Sequence, residues 1–148
     1  METNKIDILL IEDNVNDAEL TIRALKKNKS VTTVVHIDSG EEALDFVFCQ
    51  GDFSHRNIND IPRLILLDLK MPRLDGIEFL RRLKRNEQTR MIPTVVLSSS
   101  KEDKDILDSY NLGANSYFVK PVDFEGFIEA ISALTQYWLE LNQLPSKI

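Results

Sequence analysis

The stretch Leu64-Ile65-Leu66-Leu67-Asp68 places four consecutive apolar residues directly before an acidic one. Strands of a parallel sheet are covered on both faces, so they occur in sequences as nearly unbroken apolar runs. Comparable runs lie at residues 6–11, 94–97 and 116–119, and a more polar run lies at residues 32–37. The four apolar runs predict buried parallel strands, and the polar run predicts a strand at the edge of the same sheet.

Helical periodicity fills the segments between these runs. Apolar residues recur there at three- and four-residue steps, which is the spacing of one helix face. Asn14 is predicted to cap the first helix, and the polar segment 49–62 is predicted to be an enlarged connection before the third strand. The five predicted apolar stripes are Val15, Ala18, Ile22 and Leu25; Ala43, Leu44 and Val47; Ile77, Leu80 and Leu83; Ile106, Leu107 and Tyr110; and Phe124, Phe127, Ile128, Ile131, Leu134, Trp138 and Leu141.

Five strands that alternate with five helices predict an α/β fold, a doubly wound parallel sheet with helices on both faces. The length of 148 residues suits one domain with its own hydrophobic core. The formal net charge of −6 argues against nucleic acid and against an anionic membrane surface as partners, because both attract basic proteins.

Cysteine and glycine usage narrow the class of protein further. The lone Cys49 cannot form an internal disulfide, which is typical of a reducing compartment. The sequence shows no secretory signal and no membrane-spanning run, so we predict a cytoplasmic protein. The five glycines are too far apart for a Gly-rich nucleotide-binding loop.

Side chains that can carry chemistry follow the predicted strands. Glu12 and Asp13 follow the first strand, Asp68 the third, Ser98 the fourth and Lys120 the fifth. Ligands of doubly wound sheets bind outside the carboxyl ends of the strands. We therefore expect these five residues to face one crevice.

This combination of residues suits phosphoryl transfer. Three carboxylates in one place repel each other, and Mg²⁺ relieves that repulsion because it prefers oxygen ligands and works together with phosphate. A carboxylate can also attack phosphorus, and the developing charge then needs a metal ion, a lysine and a hydroxyl donor. Taken singly, each residue has an ordinary alternative: Glu12 and Asp13 as acids at a helix start, Asp68 in a turn, Ser98 in a loop and Lys120 on the surface.

The motifs at residues 9–14, 66–76, 96–100 and 117–121 together resemble the receiver domain of two-component response regulators. The likeness extends over most of the chain, from about residue 5 to residue 141. It implies a flavodoxin-like sheet with strand order 2-1-3-4-5. It also implies that residues 1–148 form a single receiver domain without an output domain.

The resemblance assigns a metal ion and a phosphoryl acceptor to the crevice. Asp68 would accept the phosphoryl group. Mg²⁺ would be held by Asp13, by Glu12, by Asp68 itself and by the backbone carbonyl of Lys70.

The resemblance also assigns the residues around the acceptor. The Ser98 hydroxyl and the Lys120 ammonium would contact the phosphoryl group, and Lys120 would pair with the Asp68 carboxylate as well. Tyr117 would be the aromatic switch. The bond between Lys120 and Pro121 would be cis, an isomer that costs little before proline.

The resemblance implies a response regulator that a sensor histidine kinase phosphorylates and that signals through a protein-binding surface rather than as an enzyme. The long connection at residues 49–62 and the short C-terminal tail resemble stand-alone regulators of bacterial and cyanobacterial phytochrome kinases. One alternative is a phosphorelay intermediate that passes phosphate to a histidine phosphotransfer protein. A phosphatase with an aspartate nucleophile is disfavoured, because it would need an acidic residue at the position of Lys70. A binding module that is not phosphorylated is also disfavoured, because it would lack an acidic-pair residue, the acceptor or the lysine, and all of these are present.

The last predicted helix carries more apolar surface than one core-facing stripe requires. Tyr137, Trp138 and Leu141 make up the excess, and exposed apolar patches mark interfaces. We therefore predict a homodimer formed by the fourth helix, the fifth strand and the fifth helix. The alternative is a longer helix that folds its excess back on its own domain.

Overall fold

The computed structural model describes residues 6–145, and within them five strands form one parallel sheet in the order β2-β1-β3-β4-β5. This confirms the predicted fold class and strand order. Two strands begin two residues later than the sequence pattern predicts, and all five end at the predicted residue or one residue beyond it. The strands are β1 (Ile8–Ile11), β2 (Val34–Ile37), β3 (Leu64–Leu67), β4 (Thr94–Ser98) and β5 (Ser116–Val119).

An α-helix follows each of the five strands, and asparagine, serine or aspartate side chains cap four of these helices. The Asn14 side chain accepts a hydrogen bond from the Asp17 N–H at 3.0 Å, as predicted for the start of the first helix. Such caps satisfy backbone donors that the first helical turn leaves unpaired. The helices are α1 (Val15–Lys26), α2 (Gly40–Phe48), α3 (Gly76–Arg85), α4 (Asp103–Asn111) and α5 (Phe124–Thr135), and α5 continues as a π-helical segment (Gln136–Leu141).

Two hydrophobic cores lie on the two faces of the sheet, because successive side chains of a strand point to opposite faces. On β3, for example, Ile65 and Leu67 pack towards α2 and α3, whereas Leu64 and Leu66 pack towards α1 and α5. Both sets are fully buried. The unbroken apolar runs are therefore a consequence of this two-sided packing.

Helix α4 departs from its predicted apolar stripe. Leu107 and Tyr110 are 60% and 50% exposed, whereas Asp105 and Ser109 are buried. The buried polar groups are hydrogen-bonded, with the Ser109 hydroxyl donating to the Asp105 carbonyl at 2.8 Å, and this offsets the cost of burying them. Apolar spacing alone predicts the wrong inner face here. Val15 and Phe124, which also belong to predicted stripes, are exposed because each is the first residue of its helix.

The connection at residues 49–62 is an ordered structure built around Arg56. The Arg56 guanidinium lies 3.8 Å from the centre of the Phe46 ring. It also donates hydrogen bonds to the carbonyls of Phe46 and Asp60, the latter at 2.6 Å. Phe53 packs edge-on against Phe46, with ring centres 5.1 Å apart. The enlarged connection is thus fixed to α2 by the cation–π contact, by the hydrogen bond to the Phe46 carbonyl and by the ring contact of Phe53.

The π-helical segment after α5 folds partly back on its own domain. Leu139 is buried, Trp138 is half-buried against the same core, and Arg63 donates a hydrogen bond to the Leu139 carbonyl at 2.7 Å. Tyr137 and Leu141 remain exposed on the surface. Of the three residues in the predicted apolar excess, Tyr137 and Leu141 therefore lie on the surface, and Trp138 packs partly against the core. Within residues 6–145, no helix combines the length and the apolar character needed to cross a membrane.

Candidate functional site

An acidic cluster lies at the carboxyl edge of the sheet. Strands β1 and β3 are paired in register, with Ile11 opposite Leu67, so the residues that follow them are brought side by side. Ligand atoms of Glu12, Asp13 and Asp68 all lie within 4.8 Å of one another. The structure therefore brings together the three carboxylates that the sequence predicted.

The cluster combines burial with like charge. Glu12 is 3% exposed and Asp68 is 8% exposed. Burial and, after it, the nearby Glu12 carboxylate raise the pKa of Asp68 to about 7, with Lys120 partly offsetting both effects. Ionised carboxylates at this site consequently favour a nearby cation.

The donor set suits a hard divalent cation. All three side chains offer carboxylate oxygens, which are the ligands that Mg²⁺ and Mn²⁺ prefer over nitrogen or sulfur donors. Gly76 keeps the neighbouring loop close, because a Cβ atom there would lie 2.4 Å from the Asp68 carbonyl oxygen. A side chain at position 76 could therefore not fit without moving the Asp68 backbone. The three carboxylates fit a divalent metal ion.

Lys120 reaches the cluster through other partners than predicted. Its ammonium donates to Glu12 Oε1 at 2.7 Å and to Asp17 Oδ2 at 3.0 Å. Burial would lower the pKa of Lys120, but these two partners and Asp68 raise it on balance. The predicted direct pairing with Asp68 is therefore wrong for this structure, since Asp17 supplies the second carboxylate; Lys120 acts on Asp68 through its charge.

The peptide bond between Lys120 and Pro121 is trans, as are the other bonds in the described part of the chain. The cis isomer implied by the resemblance is therefore wrong for this structure. The two isomers differ by only about 0.5–1 kcal/mol before proline, so the presence of Pro121 does not decide between them.

Ser98 at the end of β4 and Tyr117 on β5 both contact Ser100, which lies in the loop after β4. Ser98 is fully buried, and its hydroxyl accepts a hydrogen bond from the Ser100 N–H at 3.2 Å. Tyr117 is half-buried, and its hydroxyl donates to the Ser100 carbonyl at 2.9 Å. The candidate switch residue thus contacts the segment that carries the candidate hydroxyl donor.

Lys70 directs its side chain towards α4. Its ammonium pairs with Asp105 Oδ2 at 3.2 Å, although the Lys70 side chain is 64% exposed. The hydrogen bond from Ser100, together with the Lys70 ion pair, outweighs burial and lowers the pKa of Asp105. Sequence reasoning missed both Asp17 and Asp105.

The sheet order, the acidic cluster at its carboxyl edge, the buried Ser98 and the partly buried Lys120 define a receiver-type signalling domain. The sequence model of the response regulator receiver domain matches residues 8–132, and the chain belongs to this family. Receiver domains are signalling modules that histidine kinases phosphorylate and that bind a divalent metal ion.

Two curated relatives are similar over nearly the whole chain. The probable methanogenesis regulatory protein FilR2 of Methanothrix harundinacea is 36% identical over 138 residues, which are 93% of this chain and 86% of the relative. Response regulator Rcp1 of Synechocystis is 33% identical over 139 residues, 94% of this chain and 92% of the relative. A solved structure of Rcp1, described as its Mn(2+)-bound form, matches with a TM-score of 0.88, covering 95% of this chain and 99% of that one.

The chain is also similar to a solved structure of the phosphorylated cyanobacterial phytochrome response regulator RcpA. The two are 34% identical with a TM-score of 0.89, and the match covers 95% of this chain and 99% of the other. The chain is thus similar in fold and sequence to a phytochrome response regulator.

Proposed function

We propose that this chain accepts a phosphoryl group on Asp68, with Mg²⁺ held by Glu12, Asp13, Asp68 and the backbone carbonyl of Lys70. The observation that carries the proposal is the buried Asp68 carboxyl within 4.8 Å of two further carboxylates. The metal ion, when bound, supplies positive charge to this cluster and to phosphoryl oxygens.

The side chains around Asp68 perform separate tasks in this proposal. An Asp68 carboxylate oxygen attacks phosphorus, and the bond between phosphorus and the donor's leaving group breaks as the new oxygen–phosphorus bond forms. The Ser98 hydroxyl and the Lys120 ammonium stabilise the transferred group as hydrogen-bond donors. Tyr117 then changes position with the Ser98–Ser100 loop, and that change alters the surface of α4, β5 and α5.

The proposed donor is a sensor histidine kinase of the phytochrome type. The similarity to RcpA and Rcp1 over almost the full chain supports this pathway. We propose that residues 1–148 act as a single receiver domain whose output is binding to another protein. Relay of the phosphoryl group to a histidine phosphotransfer protein is the second candidate, because the same acceptor chemistry serves it.

The acceptor assignment predicts a covalent adduct. The full chain incubated with Mg²⁺ and acetyl phosphate should gain the mass of one phosphoryl group, because Asp68 displaces acetate from phosphorus. Asp68→Asn should show no adduct, since an amide is a poor nucleophile. Intact-protein mass spectrometry measures both. Equal adduct on the variant would refute Asp68 as the acceptor.

We also propose a homodimer through α4, β5 and α5, with Tyr137, Trp138 and Leu141 in the interface. Exposed apolar side chains on both helices support this surface, including Leu107 and Tyr110 on α4. Sedimentation velocity should show a dimer that becomes monomeric in Leu141→Ser, because the variant removes apolar area from the interface. Val15→Ser is the matched control, an equally exposed apolar residue on α1. A monomeric wild type, both with and without phosphorylation, would contradict the proposal.

A further inference from the structure

Asp105 is a buried carboxylate on α4 that the proposed chemistry leaves without a role. It is 8% exposed, and one of its oxygens has two partners. Asp105 Oδ2 accepts a hydrogen bond from the Ser100 hydroxyl at 2.5 Å and pairs with the Lys70 ammonium at 3.2 Å. Burying a carboxylate is costly unless it is paired and hydrogen-bonded, so both partners are needed to hold Asp105 in this place.

Both partners of Asp105 belong to loops of the candidate site. Lys70 lies two residues after Asp68, and Ser100 lies two residues after Ser98. The Ser100 carbonyl in turn accepts the Tyr117 hydroxyl at 2.9 Å. A single carboxylate on α4 thus joins the loop after β3 to the loop after β4.

We propose that Asp105 is a positioning residue that restrains the site in its unmodified arrangement, by holding the Lys70 ammonium and the Ser100 hydroxyl at once. This inference rests on the proposed acceptor role of Asp68. An anionic group on Asp68 adds negative charge two residues from Lys70, and it competes with Asp105 for the same ammonium. If the contact between Asp105 and Lys70 is stronger in the unmodified state than in the modified state, it lowers the affinity of the site for an anionic group on Asp68.

Beryllium fluoride provides a reversible test, because with Mg²⁺ it forms a phosphoryl-like group on a carboxylate. Calorimetric titration of the full chain should show binding about two- to fivefold tighter for Asp105→Asn, the range expected when a partly exposed ion pair is removed. The asparagine keeps an oxygen that can accept the Ser100 hydroxyl. Asp108→Asn is the matched control, because Asp108 lies on the same helix and pairs with Lys104 instead of Lys70.

A double-mutant cycle separates positioning from general packing. In a Lys70→Met background, which changes an exposed side chain and should fold normally, Asp105→Asn should no longer tighten binding. If Asp105→Asn has no effect, or tightens binding equally with Lys70 and with Met at position 70, the inference is wrong. If the wild type binds no beryllium fluoride, the proposed acceptor function fails and the inference fails with it; binding without the predicted coupling removes the inference alone.

Discussion

Replacing Asp68 with asparagine should raise the free energy of unfolding by about 2–4 kcal/mol at about pH 8 in a chelator, since each pKa unit corresponds to about 1.4 kcal/mol. Burial, and then the Glu12 carboxylate, raises the pKa of Asp68 from its ordinary 3.8 to about 7 in the folded chain. Asparagine has nearly the same shape and carries no charge at any pH. It therefore removes the cost of an ionised carboxyl in this place.

The sign of the pH dependence follows from the raised pKa. Below the unfolded pKa of Asp68, both the folded and the unfolded chain bind the proton, so this group does not change the free energy of unfolding with pH. Between that value and about 7, the folded chain keeps a proton that the unfolded chain has released, so wild-type stability falls as the pH rises. The advantage of Asp68→Asn should consequently grow between about pH 5 and pH 8, measured by urea unfolding.

A surface carboxylate and added metal ion provide the controls for this prediction. Asp38→Asn makes the same charge change at an exposed residue near the end of β2 and should alter stability by less than about 0.5 kcal/mol. Mg²⁺ should stabilise the wild type more than Asp68→Asn, because binding to the folded state adds to its stability. A variant no more stable than wild type at the higher pH would show that Asp68 is not strained by burial.

The sequence predicts the sheet and the acidic cluster because backbone geometry fixes both. Apolar runs mark strands that are buried on two faces, and the side chains after Ile11 and Leu67 must be neighbours once those residues are paired in register. Short side chains such as aspartate have little freedom to reach elsewhere. The positions of Glu12, Asp13 and Asp68 therefore follow from strand order and strand length.

The partners of long side chains, and the burial of polar side chains that find hydrogen-bond partners, are not predictable in this way. Lys120 has a flexible stem, so tertiary placement decides that it binds Glu12 and Asp17. Asp105 is buried on α4 because Ser100 and Lys70 satisfy it, and apolar periodicity contains no information about such partners. The sequence consequently predicts where α4 lies in the chain but assigns its inner face wrongly.

Replacing Lys120 with methionine should lower the free energy of unfolding by about 3–5 kcal/mol in a chelator, the usual effect of removing one partner of a buried ion pair. Methionine fills much of the space of the lysine stem, so the loss of charge is the main change. The Glu12 carboxylate is 3% exposed and would lose its hydrogen bond of 2.7 Å to the Lys120 ammonium. Chemical unfolding of the full chain measures the difference. Lys104→Met, which removes the partner of the partly exposed Asp108, should cost less than about 1 kcal/mol.

Added Mg²⁺ distinguishes loss of charge from loss of packing in Lys120→Met. A divalent cation among Glu12, Asp13 and Asp68 replaces the positive charge that the variant lacks, so Mg²⁺ should stabilise the variant more than it stabilises the wild type. A packing defect would remain after the metal ion is added, because methionine still lacks the contacts of the full lysine chain. An equal deficit with and without Mg²⁺ would therefore show that Lys120 acts by filling space, and the proposed electrostatic role of this residue beside Asp68 would have to be abandoned.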